Sequence, residues 1–354
     1  MKSLLITGGA GFVGSSLAIL FKRYYEDLEV ICLDNLSRKG SELNLPRLKA
    51  HGIHFVHGDV RNSEDLNKLN AVDWLIECSA EPSVHAGFNE SPAYLINTNL
   101  NGLINCLEFL RQKGGNLIFL STSRVYPIKA LRDLPLKPQG ERLVLQPSKQ
   151  LGLSAEGISE AFTLEGARSL YGTTKLSGEH FIQEYCQMYH LKAVINRCGV
   201  LAGPWQMGKV DQGFMALWVA MHYFEGALNY MGFGGEGLQV RDVLHVEDLF
   251  YLLRYQMQDH NKLNAPIYNV GGGIQNSVSL RELTALVKEV TKKKCNIGSV
   301  SQTKDADIPY YVTDNSKVMA ALPWQPQISV SSIVEQIYQW LHQHSSVLES
   351  VFQP

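Results

Sequence analysis

The chain has 354 residues, 45% of them hydrophobic and 19% charged, with a net charge of −2. That length can bury a sizeable core in one large or two modest domains, and the balance excludes a disordered chain. No basic stripe argues for nucleic acid; the run Lys292-Lys293-Lys294 reads as a solvated helix end.

In chain order, Leu4-Leu5-Ile6 forms a short apolar run that enters Thr7-Gly8-Gly9-Ala10-Gly11-Phe12-Val13-Gly14, and an amphipathic segment, Ser15 to Tyr25, follows. This predicts a strand, a glycine turn and a helix start, which together present backbone N–H groups to a phosphate. The glycines at 8, 11 and 14 are spaced G-x-x-G-x-x-G, one residue wider than the strict dinucleotide fingerprint. Leu28 to Leu33 predicts a second buried strand ending at Asp34, 20 residues beyond Gly14. A carboxylate there hydrogen-bonds an adenine ribose 2′-hydroxyl and repels a 2′-phosphate, which points to NAD rather than NADP. Arg38, four residues on, is the one side chain that pulls the other way.

Further strands are predicted at Ile53 to His57, Val72 to Cys78 and Asn116 to Leu120, with a helix from Tyr94 to Gln112. Alternating strands and helices over the first 125 residues predict an α/β fold, a Rossmann-type doubly wound parallel sheet. Ligands bind such sheets beyond the carboxyl ends of the strands, where Gly8 to Gly14, Asp34, Asp59, Ala80 and Thr122 fall. Pro127 to Ser169 is rich in proline, glycine and charge, and predicts a long loop acting as a lid or binding segment.

Tyr171 to Tyr189 returns to helix and Lys192 to Arg197 to strand, followed by a loop from Cys198 to Gly213 and a glycine-rich segment from Gly232 to Asp242. Helices are predicted at Val246 to Met257, Ser279 to Thr291 and Ser331 to His344, and a strand at Ile267 to Val270. The expected division is a nucleotide-binding domain over 1–198, with 127–168 inserted, and a smaller α/β region over 199–354, part of which returns to the first domain.

The six cysteines show no C-x-x-C pair and the histidines no ligand spacing, so neither a disulfide framework nor a metal site is expected. The first apolar run is too short for a signal peptide or a membrane span, which predicts a cytoplasmic protein. Tyr171 and Lys175 lie one helical turn apart on one face. A nearby ammonium stabilises a phenolate, which predicts Tyr171 as a base acting near neutral pH.

These features resemble, in the right order, the extended short-chain dehydrogenases/reductases of the NAD-dependent epimerase/dehydratase family. The resemblance rests on T-G-G-x-G-F-x-G at 7–14, D-N-L-S at 34–37, H-G-D-V-R-N at 57–62, Asn99, and Q-V-R-D-V-L-H-x-E-D at 239–248. It implies that Gly8, Gly11, Phe12, Val13, Gly14, Asp34, Asn35, Ser37, Asp59, Val60, Ala80, Asn99, Tyr171 and Lys175 hold NAD. It implies Thr122, Tyr171 and Lys175 as the catalytic set. Arg241 is implied to contact a substrate diphosphate, a task that suits its fixed fork, with an ion pair to Asp242 as the plain alternative.

Glu81, Ser123, Arg124, Gln206, Gln212, Gln239 and Lys304 complete the implied substrate side, and Trp205 and Asp211 are expected to help shape the sugar pocket. His85 is expected at the surface. In dehydratases of this kind an acidic residue stands two positions after the catalytic Ser/Thr, and here Arg124 stands there. Within the family the chain resembles the 2-epimerases of CDP-paratose and CDP-tyvelose. That implies hydride removal and return at C2 of a CDP-deoxyhexose, with a dehydrogenase/reductase or a 4-epimerase as the alternatives. The helices at 94–112 and 168–190 resemble the pair through which relatives form homodimers.

Overall fold

The computed structural model describes residues 1–88, 90–208, 212–258 and 263–352. Strands β1 (Ser3–Thr7), β2 (Glu29–Asp34), β3 (His54–His57), β4 (Trp74–Glu77) and β5 (Asn116–Thr122) are joined by Lys192–Cys198 and Asn264–Val270 in one seven-stranded sheet. The order is Asn264–Val270, Lys192–Cys198, β5, β4, β1, β2, β3, and every pairing is parallel. Chain order reverses between β1 and β4, which opens a crevice at their carboxyl ends. The strands read as near-continuous apolar runs because helices cover both faces; Leu4, Leu5 and Ile6 are all wholly buried.

One face packs on helix α1 (Phe12–Tyr24) and on Val246–Gln258, whose Phe250 ring meets Phe21 edge-on at 4.9 Å. The other packs on Gly102–Lys113 and Leu170–Tyr189. Val318, Leu322 and Trp324, late in the chain, join the first of these cores. We propose the division accordingly: residues 1–198 form the nucleotide-binding domain, and 246–270 and 316–324 return to it from the second region.

That second region holds a small sheet in which Val240–His245 pairs with Val200–Ala202, Ser277–Ser279 and Tyr310–Tyr311. The glycine-rich segment therefore turns into strand at Val240. Three helices, Phe214–Tyr223, Leu280–Thr291 and Val330–Gln343, form its core. Phe214–Tyr223 has no polar stripe and is buried almost all round, which is why amphipathic periodicity does not reveal it.

Residues 127–168 are not a structureless loop. They hold a short helix, Ile128–Arg132, and two hairpins, Leu136–Gln139 with Arg142–Leu145 and Leu153–Ser154 with Gly157–Ile158. Leu131, Leu134, Ile158 and Phe162 are buried against Val240, Ile308, Tyr310 and Tyr311. Short hairpins of mixed composition carry weak period-two signals, and tertiary packing decides them.

Candidate active site

A cavity of about 880 Å³ lies across the crevice, walled on one side by the strand ends and on the other by segments from 199–241 and 304–311. No residue of 127–169 is found on its wall, so the expected lid role is not what the geometry shows.

The nucleotide side is built by close backbone approach. Gly8 has φ +63°, and a Cβ there would lie 2.8 Å from the Cys78 carbonyl group. At Gly14 a Cβ would lie 2.2 Å from the Gly8 carbonyl oxygen. Helix α1 starts after Gly11 with no side-chain cap, so the first-turn N–H groups at Phe12, Val13 and Gly14 have no side-chain acceptor and line the cavity. Partial positive charge at that helix end suits a diphosphate.

Asp34 Oδ2 accepts from the Ala10 N–H at 3.0 Å and Oδ1 from the Leu36 N–H at 2.8 Å, which fixes its carboxylate at the wall. Asn35, Ser37, Val60 and Ala80 line the same end. Arg38 is engaged elsewhere: its guanidinium donates to Gln212 Oε1 and to the Met207 carbonyl at 3.2 Å. A bare helix end and an oriented carboxylate with no committed cation beside it fit NAD.

Three residues expected at the cofactor, Asp59, Asn99 and Lys175, stand off the wall. Asp59 is paired with Arg61 at 2.6 Å and accepts from Asn35 Nδ2 at 2.9 Å; chiefly through Arg61 its carboxyl is held down at about 2. Its neighbours Gly58 and Val60 line the cavity instead. Asn99 is buried, accepting from the Glu81 N–H at 2.8 Å and donating to the Glu81 carbonyl and to Thr174 Oγ1. It braces the turn after β4.

At the chemical centre Thr122 ends β5 and sits beside Cys198 in register. Its Oγ1 accepts from the Arg124 N–H at 3.2 Å, and its side chain lies close enough to Tyr171 to pull the phenol down. Tyr171 reaches it because helix Leu170–Tyr189, capped by Ser169, presses Gly172 on the 123–125 turn; a Cβ on Gly172 would lie 2.1 Å from the Arg124 carbonyl oxygen. Burial pushes the Tyr171 phenol up, while Lys175, Thr122 and Arg124 pull it down, and the net direction is up. Lys175 alone therefore does not bring the phenol to neutrality, because an apolar setting disfavours phenolate more than one ammonium favours it. Lys175 is off the cavity wall and buried, its Nζ 3.2 Å from Glu77 Oε2.

The substrate side gathers Ser123, Arg124, Gln206, Gln212, Gln239, Arg241 and Lys304 on one wall. Arg241 donates to the Val240 and Ile308 carbonyls and Arg124 to that of Ala306. Burial and the neighbouring Arg124 push Arg241 down to about 9, a crowding of cations that a bound anion would relieve. Asp242 faces away from Arg241 on the alternating strand and accepts from the Gly273 N–H, which disposes of the plain ion-pair reading. Oε1 of Gln206 and Oε1 of Gln239 are buried with no protein partner, so both await a ligand donor.

Glu81 departs from expectation: it is not found on the wall, and accepts from Gln212 Nε2 at 3.2 Å and the Ser83 N–H. His85 departs too. It lines the cavity, with Nε2 3.4 Å from Asp307 Oδ1. Its position just past a strand end was the available signal, and Asp307, the residue that holds it there, carried none. Asp211 lies outside the described residues. Among the described residues no group of three or more His, Cys, Asp or Glu is placed to hold a metal ion, and no helix is long and apolar enough to cross a membrane.

A glycine turn against a parallel sheet, an oriented ribose carboxylate and a Thr–Tyr–Lys cluster define a nicotinamide-dependent enzyme of the short-chain dehydrogenase/reductase fold. The chain belongs to the NAD dependent epimerase/dehydratase family, whose model matches residues 4–271. It is 31% identical to a CDP-paratose 2-epimerase of Salmonella typhi over 95% of this chain and 98% of that one. Among solved structures, a dTDP-glucose 4,6-dehydratase double mutant of Streptomyces venezuelae with NAD bound superposes with TM-score 0.79 at 25% identity, covering 99% of this chain and 100% of that one. A Thermus thermophilus UDP-glucose 4-epimerase in complex with NAD gives TM-score 0.74 at 25% identity, covering 96% and 99%.

Proposed function

We propose that the chain epimerises a nucleotide sugar by removing and returning one hydride at a ring carbinol, C2 of a CDP-linked deoxyhexose. The observation that carries this reading is the setting of Thr122. Its hydroxyl meets the Tyr171 phenol, and the side chain two positions on, where a dehydratase needs an acid, is the cation Arg124. A cation cannot take a proton from a neighbouring carbon. The 31% identity to the Salmonella typhi enzyme supports the choice of sugar and carbon.

Bound NAD supplies the hydride acceptor and, later, the donor. Thr122 orients the reacting hydroxyl, the Lys175 charge steadies Tyr171 as the phenolate, and that phenolate takes the hydroxyl proton and becomes the neutral phenol. Tyr171, now the phenol, would return the proton to the same oxygen as the carbinol re-forms. Because burial raises the Tyr171 phenol, its basic form gains population as pH rises, so the rate should climb from neutral to alkaline pH. Arg241, with Arg124 beside it, takes the diphosphate. Arg241→Ala is expected to raise KM about 10- to 100-fold, the worth of a charge-assisted hydrogen bond, and to leave kcat within a few-fold; steady-state kinetics separate the two.

Incubating the purified protein with CDP-, UDP-, GDP- and dTDP-sugars in D₂O without added cofactor tests the reaction. Inverted product with no solvent deuterium is expected from CDP-deoxyhexoses. Deuterium at the inverted carbon would sink hydride return, and NADH release or a need for added NAD(P)H would make the protein an oxidoreductase. A homodimer is part of this proposal: the helices at 93–113 and 170–189 leave Tyr94, Leu170, Phe181, Met188 and Tyr189 exposed. Light scattering after gel filtration should give twice the mass of one chain, and the monomer mass would rule it out.

A further inference from the structure

Glu77 is the one acidic side chain set within the central strands of the sheet at the level of the chemistry. It closes β4, between β1 and β5, and is 2% exposed. Its carboxylate Oε2 lies 3.2 Å from Lys175 Nζ across 98 residues of sequence. Lys175 is itself 2% exposed, its ammonium 4.5 Å from the Phe119 ring centroid. An ammonium so enclosed is kept charged only by a partner, and the carboxylate that faces it is Glu77. Burial by itself would push Lys175 down; Glu77 and then Tyr171 outweigh it, and the ammonium is held above its usual value.

We infer that Glu77 is a positioning residue for the proton transfer: its carboxylate keeps Lys175 charged and aimed, and through Lys175 it sets the ionisation of Tyr171. The inference rests on the proposed role of Tyr171 and Lys175 and adds a third, hidden member that touches neither substrate nor cofactor. The other titratable or charged groups facing the three are Cys78 just past β4, Cys106 on Gly102–Lys113, Cys198 on its strand and Arg124. Burial pushes all three thiols far up, so they stay neutral through the working range. Burial pushes the Arg124 guanidinium down from its very high ordinary value, with Asp307 and Tyr171 pulling back up. Burial pushes the Glu77 carboxyl up against the pull of Lys175, so the charge that varies in the cluster is that of the Glu77–Lys175 pair.

The order of effects gives the sign. Without the Glu77 charge, burial governs Lys175 and the ammonium gives up its proton. Tyr171 then loses the largest influence pulling it down, and its ionisation moves to higher pH. The sign is opposite to that expected if Glu77 merely offset the Lys175 charge.

The test needs no substrate. Ultraviolet difference titration of the NAD-loaded protein, with Tyr171→Phe as the reference to subtract, reads the Tyr171 midpoint. In Glu77→Gln the midpoint should rise by about one pH unit or more, roughly a tenfold loss of phenolate at a given pH. Glu77→Asp should hold the midpoint to within about half a unit of wild type, and adding Glu77→Gln to Lys175→Met should change nothing further. An unmoved or lowered midpoint in folded Glu77→Gln would overturn the inference. So would an equal shift from Glu77→Gln with Lys175 absent. If Glu77→Gln fails to fold, the Lys175→Met pair and Glu77→Asp decide it: Asp must hold the wild-type midpoint to within about half a unit, and a larger move counts against. Failure of the sugar panel leaves this titration unaffected, so the two readings can fall separately.

Discussion

Tyr171→Phe is expected to lower kcat by about 10²- to 10⁴-fold while NAD stays bound, because the lost hydroxyl lies on the cavity wall beside Thr122 and is the proposed base. The ring keeps its packing, so melting temperature should hold within a few degrees. Removing the phenol should also abolish the rise in rate from neutral to alkaline pH, since that rise reports its ionisation. Rate profiles of wild type and variant, with bound NAD measured by its absorbance after denaturation, check all three. A variant retaining more than about a tenth of wild-type kcat would transfer the base role to another group.

Glu179→Ala is the second large effect, and it is one of stability. Glu179, on helix Leu170–Tyr189, accepts from Arg197 Nη2 at 2.7 Å, from Arg197 Nε at 3.0 Å and from Ser121 Oγ at 2.5 Å, with every partner buried. Arg197 Nη1 also donates to the Tyr126 hydroxyl, which in turn donates to Asn269 Oδ1 at 2.8 Å. This chain of bonds ties the helix carrying Tyr171 to the strand ending at Thr122, and then to the returning strand. Removing the carboxylate strands the Arg197 charge in the interior and should cost about 3–5 kcal/mol. Replacing both residues by apolar side chains of similar volume should recover much of that. Thermal melts of the single and double variants measure it. A loss below about 1 kcal/mol would mean that water reaches Arg197 once Glu179 is gone.

Legibility followed sequence separation. The turn at Gly8 to Gly14 and the carboxylate at Asp34 lie within one βαβ unit, where local geometry leaves few choices. Asp59 was expected at a strand's carboxyl end and Asn99 in the helix before the fifth strand, and in the structure their side chains are engaged by Arg61 and by the Glu81 backbone. Position along a strand end says where a residue is and leaves open what it touches. His85 shows the reverse, since only Asp307, more than two hundred residues on, makes it part of the wall. The 127–168 segment was unreadable for another reason: its hairpins hold their shape by packing on Tyr310 and Tyr311, and little in their own alternation demands it.

What the amino-acid order determined by itself is the cofactor half: buried strand runs, a glycine turn that tolerates no Cβ, and a helix end left bare for phosphate. Those features arise from contacts between near neighbours and survive in one dimension. The Tyr171–Lys175 spacing belongs with them. What only the tertiary structure decided is how that pair is charged. Thr122, Arg124 and Glu77 arrive from other strands and turns, and burial outweighs the downward pull of Lys175 and leaves the Tyr171 phenol above its ordinary value. Spacing along a helix records which side chains meet. Solvent exclusion, which sets the cost of each charge, exists only once the sheet and helices have closed around them.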